Sequence, residues 1–181
     1  MKKAAVIHDL SGFGKCSLTA AIPVLSALGV QCCPVATAVL TGQTGYPCYH
    51  CTDLTAMLPD YIDAWGKNNA HFDAIYSGFL TGAKQISQVL DFIRYFREEH
   101  TLLLVDPVMG DDGNAYPFFT PGLLNGMKEL TLEADVITPN LTEALLLLHG
   151  RECAHKIWSK LSNLAEKELK GFVEETGNKL A

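Results

Sequence analysis

Short apolar runs alternate with amphipathic stretches along most of the chain, and this alternation predicts repeated strand–helix units. Five apolar runs have the length of buried strands, and we predict strands at residues 4–8, 31–38, 74–77, 102–106 and 135–138. Apolar positions recur at helical spacing elsewhere, which predicts helices at residues 15–28, 53–65, 83–99, 121–130 and 142–149. The pattern indicates an α/β fold with a mostly parallel sheet flanked by helices.

The charge pattern changes after Gly150. Residues 151–181 contain 11 charged residues among 31, and apolar side chains recur among them at Ile157, Leu161, Leu164, Phe172 and Val173. We therefore predict an α/β domain at residues 1–150 and a charged helical tail at residues 151–181, interrupted at Gly171 and so forming one bent helix or two short helices. No strand-like run follows residue 150, so we expect the sheet to be C-terminally truncated.

The overall composition narrows the classes of function. The 181 residues are 48% hydrophobic and 19% charged, with a formal net charge of −6, which is typical of one folded domain with a sizeable core. The acidic balance argues against a nucleic-acid surface, because phosphate contacts require clustered Lys and Arg. No run of about eighteen apolar residues is present, so we expect no membrane span and a cytoplasmic location.

Cysteine and glycine spacing exclude several familiar sites. Cys48 and Cys51 form a CxxC pair, but no second ligand pair stands at the spacing that a zinc site requires. The glycine-rich residues 11–17 follow a predicted strand, yet Cys16 replaces the Ser or Thr that follows lysine in a phosphate-binding P-loop. Ser17 replaces the third glycine of the dinucleotide fingerprint. A tight turn that uses glycine's conformational freedom is the simpler interpretation.

Two loops carry the strongest chemical signal. Residues 106–111 (DPVMGD) and residues 138–143 (TPNLTE) each follow a predicted strand and each contain oxygen ligands. Parallel strands end at one edge of a sheet, so both loops are expected to open there, where α/β folds place their ligands. The two loops therefore predict one site that could face a magnesium-bound nucleotide.

Five motifs in a fixed order now give the chain a family resemblance. They are DLSGFG at 9–14, TGQTGY at 41–46, YSGFL at 76–80, DPVMGD at 106–111 and TPNLTE at 138–143. Together, across residues 4–148, they resemble the pyridoxal kinases of the ribokinase-like superfamily, particularly the bacterial pyridoxamine-kinase branch. The resemblance implies transfer of the γ-phosphoryl group of ATP to the 5′-hydroxyl of a vitamin B6 vitamer, and it implies a homodimer.

The resemblance also implies residue roles on the vitamin side. Ser11 would bind the vitamin by hydrogen bonding, Thr44 would line its site, and Phe79 would pack against the pyridine ring. An aromatic wall with a few hydroxyl partners suits such a ring. Without the resemblance, Phe79 is equally an ordinary core residue and Ser11 a helix-terminal turn or cap. Gln43 stands where the family commonly has histidine.

On the nucleotide side, the resemblance implies that Asp106, Asp111, Tyr116 and Thr138 surround ATP. Asn140 and Glu143 would serve Mg²⁺, which prefers hard oxygen ligands and keeps several waters. Phosphoryl transfer then depends on positioning and charge neutralisation. The alternative interpretation is that residues 111–114 form only a turn and that Thr142 and Glu143 only begin a helix.

One family element has no counterpart in this sequence. The family's Gly-Thr-Gly-Asp segment supplies an anion hole and a general base, whereas no aspartate follows Asp135 here. The catalytic residue is therefore unassigned, and Asp9 is the substitute to test, although it could be only a turn or capping carboxylate. Two other hypotheses remain: a catalytically inert vitamin-binding or interaction protein, and a hydroxymethylpyrimidine or sugar kinase on the same scaffold.

Overall fold

The computed structural model describes residues 1–161 and 166–180, and at its centre is a six-stranded sheet. The strands of the described residues are β1 (Lys3–Ser11), β2 (Gln31–Leu40), β3 (Cys51–Asp53), β4 (Ala74–Ser77), β5 (Leu102–Val105), β6 (Gly110–Asp111), β7 (Asn114–Ala115) and β8 (Val136–Ile137). The sheet order is β3-β2-β1-β4-β5-β8, and β6 and β7 form a separate two-stranded ribbon. All pairings in the main sheet are parallel except β2 with the edge strand β3.

Helices cover both faces of this sheet. Their bounds are α1 (Ser17–Ala27), α2 (Leu58–Lys67), α3 (Ala83–Phe96), α4 (Pro121–Leu132), α5 (Leu141–Leu161) and α6 (Glu166–Leu180), with a 3₁₀ turn at Thr55–Met57 before α2. Helix α5 is broken at Gly150, whose φ of 73° lies in the left-handed region that favours glycine. Among the described residues, no helix has both the length and the apolar character needed to cross a membrane.

The side chains of β1 show how the two layers form. Ala5 and Ile7 point into the larger core, where they join residues of β4, β5 and α3. Ala4 and Val6 point to the opposite face and pack with Leu18 of α1. Because successive side chains of a strand alternate between faces, one continuously apolar strand can bury both surfaces. The α/β fold with a mostly parallel sheet predicted from the sequence is confirmed.

Several element boundaries differ from the sequence prediction. Strand β3 and the β6–β7 ribbon were not predicted, and α2 begins at Leu58 because the preceding turn at Thr55–Met57 is a separate element. The predicted break at Gly171 is wrong, since α6 runs through that glycine. Phe172 packs partly against the main core, and this contact helps to hold the helix there. Leu164 of the predicted apolar stripe lies outside the described residues.

The carboxyl ends of β1, β4, β5 and β8 meet at one edge of the sheet, as their parallel pairing requires. Backbone hydrogen bonds continue the ladder just past the strands, from Asp106 N–H to the Ser77 carbonyl and from Thr138 N–H to the Val105 carbonyl. The loops that carry the sequence motifs therefore leave the sheet side by side.

Candidate active site

A cavity of about 490 Å³ opens at this carboxyl edge. Its wall includes side chains from β1, α1, β2, β4 and the loops that follow β2, β4 and β5. Six predicted site residues line it: Asp9, Ser11, Thr44, Phe79, Asp106 and Tyr116. The remaining predicted residues, Asp111, Thr138, Asn140 and Glu143, lie beside the cavity and not in its wall. We call His8, Asp9, Ser11, Thr44 and Phe79 the β1-side group, and Asp106, Asp111, Thr138, Asn140 and Glu143 the β5-side group.

Asp9 and Ser11 form a hydrogen-bonded pair at the end of β1. Both residues are buried, and the Ser11 hydroxyl donates to Asp9 Oδ2 at 2.8 Å. The donated proton leaves the lone pairs of Ser11 Oγ available to a ligand, and the second carboxyl oxygen of Asp9 remains as a further acceptor. This pair offers acceptors to any molecule that enters the cavity.

Phe79 supplies an apolar wall directly after β4. The side chain is 8% exposed, and its ring meets the ring of Phe118 edge to face at a centroid distance of 5.5 Å. The Thr37 hydroxyl donates to the Phe79 carbonyl at 2.9 Å, which fixes the backbone at this position. The wall is therefore set by packing and by hydrogen bonding before any ligand arrives.

The two loops next to β1 and β2 are tied together near Gln43. Its N–H donates to the Phe13 carbonyl at 2.9 Å, and its side chain lies against Gly14. Gly14 has a φ of 97°, a backbone conformation that side chains with a Cβ rarely adopt. This confirms a glycine-dependent turn and places Gln43 and Thr44 in the cavity wall.

Asp106 is the member of the β5-side group that lines the cavity. Burial raises the pKa of its carboxyl group, and a hydrogen bond with the Thr138 side chain acts in the opposite direction. Tyr116 lines the same region, and burial together with nearby carboxylates, Asp111 first among them, raises the pKa of its phenol. Negative charge is therefore concentrated on this side of the cavity.

Asn140 and Glu143 hold each other at the start of α5. The Asn140 N–H donates to Glu143 Oε2 at 2.8 Å, and the Glu143 N–H donates to Asn140 Oδ1 at 2.9 Å. This reciprocal arrangement is a capping box, which satisfies two N–H groups that the helix cannot satisfy itself. The Asn140 amide also donates to the Gly110 carbonyl at 2.9 Å, so the cap fastens the β6–β7 ribbon to α5.

Glu143 is the most perturbed carboxyl group of the site. Its Oε1 accepts from the Met109 N–H at 3.3 Å. Burial raises the pKa of Glu143 to about 7; backbone hydrogen bonds from Asn140 and Met109 oppose this change, and the charges of Asp106 and Asp111 reinforce it. A cation between these carboxyl groups would relieve their mutual repulsion.

The oxygen atoms of the β5-side group suit a magnesium ion that keeps its waters. Each Glu143 oxygen accepts one backbone hydrogen bond and retains a lone pair, and Asp106 is held through Thr138. Within residues 1–161 and 166–180, no three His, Cys, Asp or Glu side chains converge as a dedicated metal cage. Mg²⁺ commonly binds through one or two carboxylates plus water and phosphate, so the residues fit contact through water better than direct chelation.

Asp111 has a local role in the ribbon. Its Oδ1 accepts the Asp112 N–H at 2.9 Å, and Asp112 takes a positive φ of 48° in the turn. The Gly113 N–H donates to the Thr142 hydroxyl at 2.9 Å. The turn that the sequence offered as an alternative interpretation is therefore present, and it is attached to the start of α5.

Sequence reasoning assigned no role to His8 or to Tyr76, although Tyr76 begins the YSGFL motif. Both line the cavity, and their rings meet edge to face at a centroid distance of 4.7 Å. The available signal for His8 was a histidine at the end of the predicted strand 4–8, directly before the DLSGFG motif.

Comparison with known proteins agrees with this geometry. A sequence model described as phosphomethylpyrimidine kinase matches residues 14–173. A solved structure from Bacteroides thetaiotaomicron, described provisionally as a phosphomethylpyrimidine kinase and crystallised with pyridoxal, shares 43% identity and a TM-score of 0.84; the match covers 98% of this chain and 59% of that one. Pyridoxal kinase from Lactobacillus plantarum shares 34% identity and a TM-score of 0.75, covering 81% of this chain and 52% of the other.

A curated relative from Bordetella avium, described as a pyridoxine/pyridoxal/pyridoxamine kinase, is 34% identical over 143 residues, which is 75% of this chain and 47% of the relative. The match thus spans about half the length of this relative. The match to a second curated relative, pyridoxal kinase from Pasteurella multocida, is 36% identical and covers 39% of this chain and 26% of that relative.

Proposed function

The chain belongs to the phosphomethylpyrimidine kinase family, and from that premise we propose that its cavity binds a vitamin B6 vitamer and that the protein transfers the γ-phosphoryl group of ATP to the vitamer's 5′-hydroxyl. One observation carries the proposal: a single cavity brings Ser11, Thr44 and Phe79 together with Asp106 and Tyr116. An aromatic wall and hydroxyl groups suit the pyridine ring, and the carboxylate side suits a magnesium-bound nucleotide.

In this proposal the vitamin ring lies against Phe79, with Ser11 and Thr44 in reach of its polar substituents. ATP lies toward Asp106, Asp111, Tyr116 and Thr138. Asn140 and Glu143 would hold Mg²⁺ through water, and the ion would neutralise charge on the phosphates. The proposal also includes a homodimer and a cytoplasmic location, both carried over from the sequence expectations.

Asp9 is our candidate for the general base. The substrate's 5′-hydroxyl would give its proton to the Asp9 carboxylate while its oxygen forms a bond to the γ-phosphorus, and the bond from that phosphorus to the bridging oxygen would break to release ADP. Supporting this role, Asp9 is buried in the cavity wall and is oriented by the Ser11 hydroxyl. A positioned base typically contributes about 10²- to 10⁴-fold to rate.

The direct test is ATP-dependent phosphorylation of pyridoxal with magnesium by residues 1–181, alongside Asp106→Ala and Asp9→Asn. Turnover by the wild type that Asp106→Ala abolishes supports kinase activity. A loss of about 100-fold or more in the separate variant Asp9→Asn, relative to wild type, supports Asp9 as the general base. Folded protein that binds pyridoxal but shows no turnover would reject the kinase activity of this chain.

A second candidate function is vitamin binding without catalysis. It is favoured by the capping box, because Asn140 and Glu143 already use their polar atoms to hold α5 and the ribbon. Calorimetry with pyridoxal and with magnesium-ATP separates the two functions: a binding protein takes up the first and not the second.

The family name makes hydroxymethylpyrimidine an alternative substrate for the same cavity. Competition among pyridoxal, hydroxymethylpyrimidine and ribose decides this point. We expect pyridoxal to displace the other two compounds at the lowest concentration. Preferential binding of hydroxymethylpyrimidine would instead make that compound the substrate of the cavity.

A further inference from the structure

His8 is a buried histidine in the cavity wall that the proposed mechanism does not use. It lies in the carboxyl-terminal half of β1 and is 3% exposed. Its ring packs directly over Gly78, where any side chain would overlap it, and its edge-to-face contact with Tyr76 fixes it from the side. The ring is therefore held in one orientation by its neighbours.

The one hydrogen bond of the His8 ring within the described residues indicates its tautomer. The Phe79 N–H donates to His8 Nδ1 at 3.4 Å, so Nδ1 must carry a lone pair. In a neutral imidazole one nitrogen accepts and the other carries the proton, which puts the proton on Nε2. Burial lowers the pKa of His8 to about 4, against the opposing charge of Asp9, so the ring is neutral at physiological pH.

The proton on Nε2 has nothing to bond to within the described part of the chain. Nε2 is buried and has no hydrogen-bond partner there, although His8 lines the cavity. A buried donor without an acceptor destabilises the protein that contains it. A ligand in the cavity that brought an acceptor to this atom would remove that cost.

We propose that His8 is a positioning residue whose Nε2–H donates a hydrogen bond to an acceptor on the ring of the bound substrate, either an unprotonated ring nitrogen or the oxygen of a ring hydroxyl group, and so selects heteroaromatic substrates that carry such an acceptor. The proposal rests on the proposed function for the identity of that substrate. This donor complements Ser11, whose hydroxyl already donates its hydrogen bond to Asp9 and therefore presents its lone pairs as acceptors. His8, with its buried donor, and Ser11, with its acceptor, both line the cavity.

The choice of ring acceptor has a chemical consequence. Vitamin B6 carries a pyridine nitrogen and a 3-hydroxyl group, and either can accept from a neutral N–H donor. A ring nitrogen that already carries a proton cannot accept, so that form would bind less tightly at this position. Replacing the nitrogen by CH, or removing the hydroxyl, deletes one acceptor at a time and identifies the atom that His8 contacts.

Two substitutions separate the donor from the rest of the side chain. Glutamine can place an N–H group near the position of Nε2, whereas asparagine reaches only as far as Nδ1. We expect His8→Asn to weaken pyridoxine binding about tenfold, from the loss of one hydrogen bond, and His8→Gln to restore most of it. Isothermal calorimetry with pyridoxine, 3-deoxypyridoxine and the analogue with CH in place of the ring nitrogen gives the comparison.

The analogues distinguish a specific contact from a structural role. The analogue that lacks the contacted atom should bind wild type and His8→Asn equally, while the other analogue should retain the tenfold difference. An equal loss for all three ligands in His8→Asn, or no loss for any of them, would overturn the proposal.

A ligand-free measurement tests the proposal separately from the proposed function. Nitrogen-detected NMR correlations of the imidazole rings, assigned with His8→Gln, should show the Nε2–H tautomer for His8 at pH 7.5. The Nδ1–H tautomer would overturn the inference whatever the protein binds. If the tautomer is Nε2–H and no vitamer binds wild type, the proposed function fails, and the same variants tested with hydroxymethylpyrimidine, which also has ring nitrogens, decide the role of His8.

Discussion

The β1-side group and the β5-side group lie at the same edge of one sheet, yet their polar atoms have different partners. In the β1-side group, Ser11 and Asp9 bond to each other and His8 keeps a buried donor without a partner in the described chain. In the β5-side group, Asn140 and Glu143 bond reciprocally and to the backbone of the neighbouring loop. The first group lines the cavity with polar atoms available, whereas Asn140 and Glu143 of the second group use their polar atoms to bond backbone groups.

This difference separates two kinds of preorganisation. A ligand at the β1-side group gains hydrogen bonds that the protein lacks without it, so binding there can stabilise the fold directly. A nucleotide at the β5-side group must use lone pairs that remain after capping, or contact the protein through magnesium-bound water. We therefore expect ligand binding to stabilise the vitamin half of the proposed site more than the nucleotide half, and each substitution below perturbs one group while leaving the other as a reference.

The largest expected effect is at Gly78, where the absence of a side chain leaves room for the His8 ring of the β1-side group. A methyl group on Gly78 would overlap the His8 ring, so Gly78→Ala must displace either that ring or the backbone after β4. We expect a loss of about 3 kcal/mol or more in the free energy of unfolding, measured by urea denaturation. Gly82→Ala is the matched control, because nothing lies within 4 Å of its added methyl group. Equal stabilities for the two variants would show that His8 is not held against Gly78.

The next effect is a pH dependence that belongs to His8. Its pKa in the folded protein is about 4 and its ordinary value is 6.5, so between these values the unfolded chain binds the additional proton. The contribution of His8 to stability is complete above pH 6.5, declines as the pH falls, and levels off below pH 4, a loss of roughly 3 kcal/mol at about 1.4 kcal/mol per pH unit. The facing groups are Asp9 on β1 and Tyr76 on β4.

Urea denaturation of wild type and His8→Asn from pH 4 to pH 8 isolates this contribution, since the carboxyl groups common to both proteins cancel in the difference. The stability difference between the two should change across the pH 4 to 6.5 window. His100→Asn, at an exposed position, is the control. Parallel curves for wild type and His8→Asn would contradict the buried, neutral ring.

A smaller loss is expected at the capping box of the β5-side group. Glu143→Ala removes the acceptors for the Asn140 and Met109 N–H groups, and we expect it to cost about 2 kcal/mol. Burial raises the pKa of Glu143 to about 7 from 4.5, so the folded protein holds that proton more tightly than the unfolded chain. The contribution of Glu143 is therefore greatest below pH 4.5 and declines as the pH rises to 7.

The loss in Glu143→Ala should accordingly be larger at pH 5 than at pH 8. Thermal unfolding at the two pH values measures this loss. Glu129→Ala is the control, because Glu129 is exposed and makes a long contact of 3.9 Å from its Oε1 to Arg94 Nη2. If Glu143→Ala is as stable as Glu129→Ala at both pH values, the capping box does not hold α5 and the ribbon.

The fold was predictable where one strand had to bury both of its faces. Residues 74–77 were predicted as a strand and form β4 at the same bounds. This short, mostly apolar run is covered on both faces when it lies inside the sheet as a strand. Strand β3 has only three residues and is defined by its antiparallel pairing with β2. This pairing joins separate parts of the chain, so the local sequence pattern does not predict it. Gly171 misled the prediction because its low helix propensity was weighed without the packing of Phe172.

The site was predictable as a set of loops and not as a set of hydrogen bonds. Motif order placed Ser11, Thr44, Phe79 and Asp106 at one sheet edge, and the structure brings them into one cavity wall. Their roles stay predictions. The sequence could not show that Asn140 reaches the Gly110 carbonyl or that Phe79 fixes the tautomer of His8, since both depend on how separate loops meet in space.

The smallest expected effect tests the apolar wall of the β1-side group. Phe79→Leu keeps the position buried but removes the flat surface against which a pyridine ring could stack, as well as the edge-to-face contact with Phe118. Such aromatic contacts contribute about 1 kcal/mol, so we expect pyridoxal affinity to fall roughly fivefold, while magnesium-ATP affinity stays unchanged. Phe79→Tyr, which keeps the ring, is the matched control, and calorimetry with each ligand measures both affinities. A fall in affinity for both ligands would mean that the two groups are coupled through Phe79, which is the one result that would erase the distinction between them.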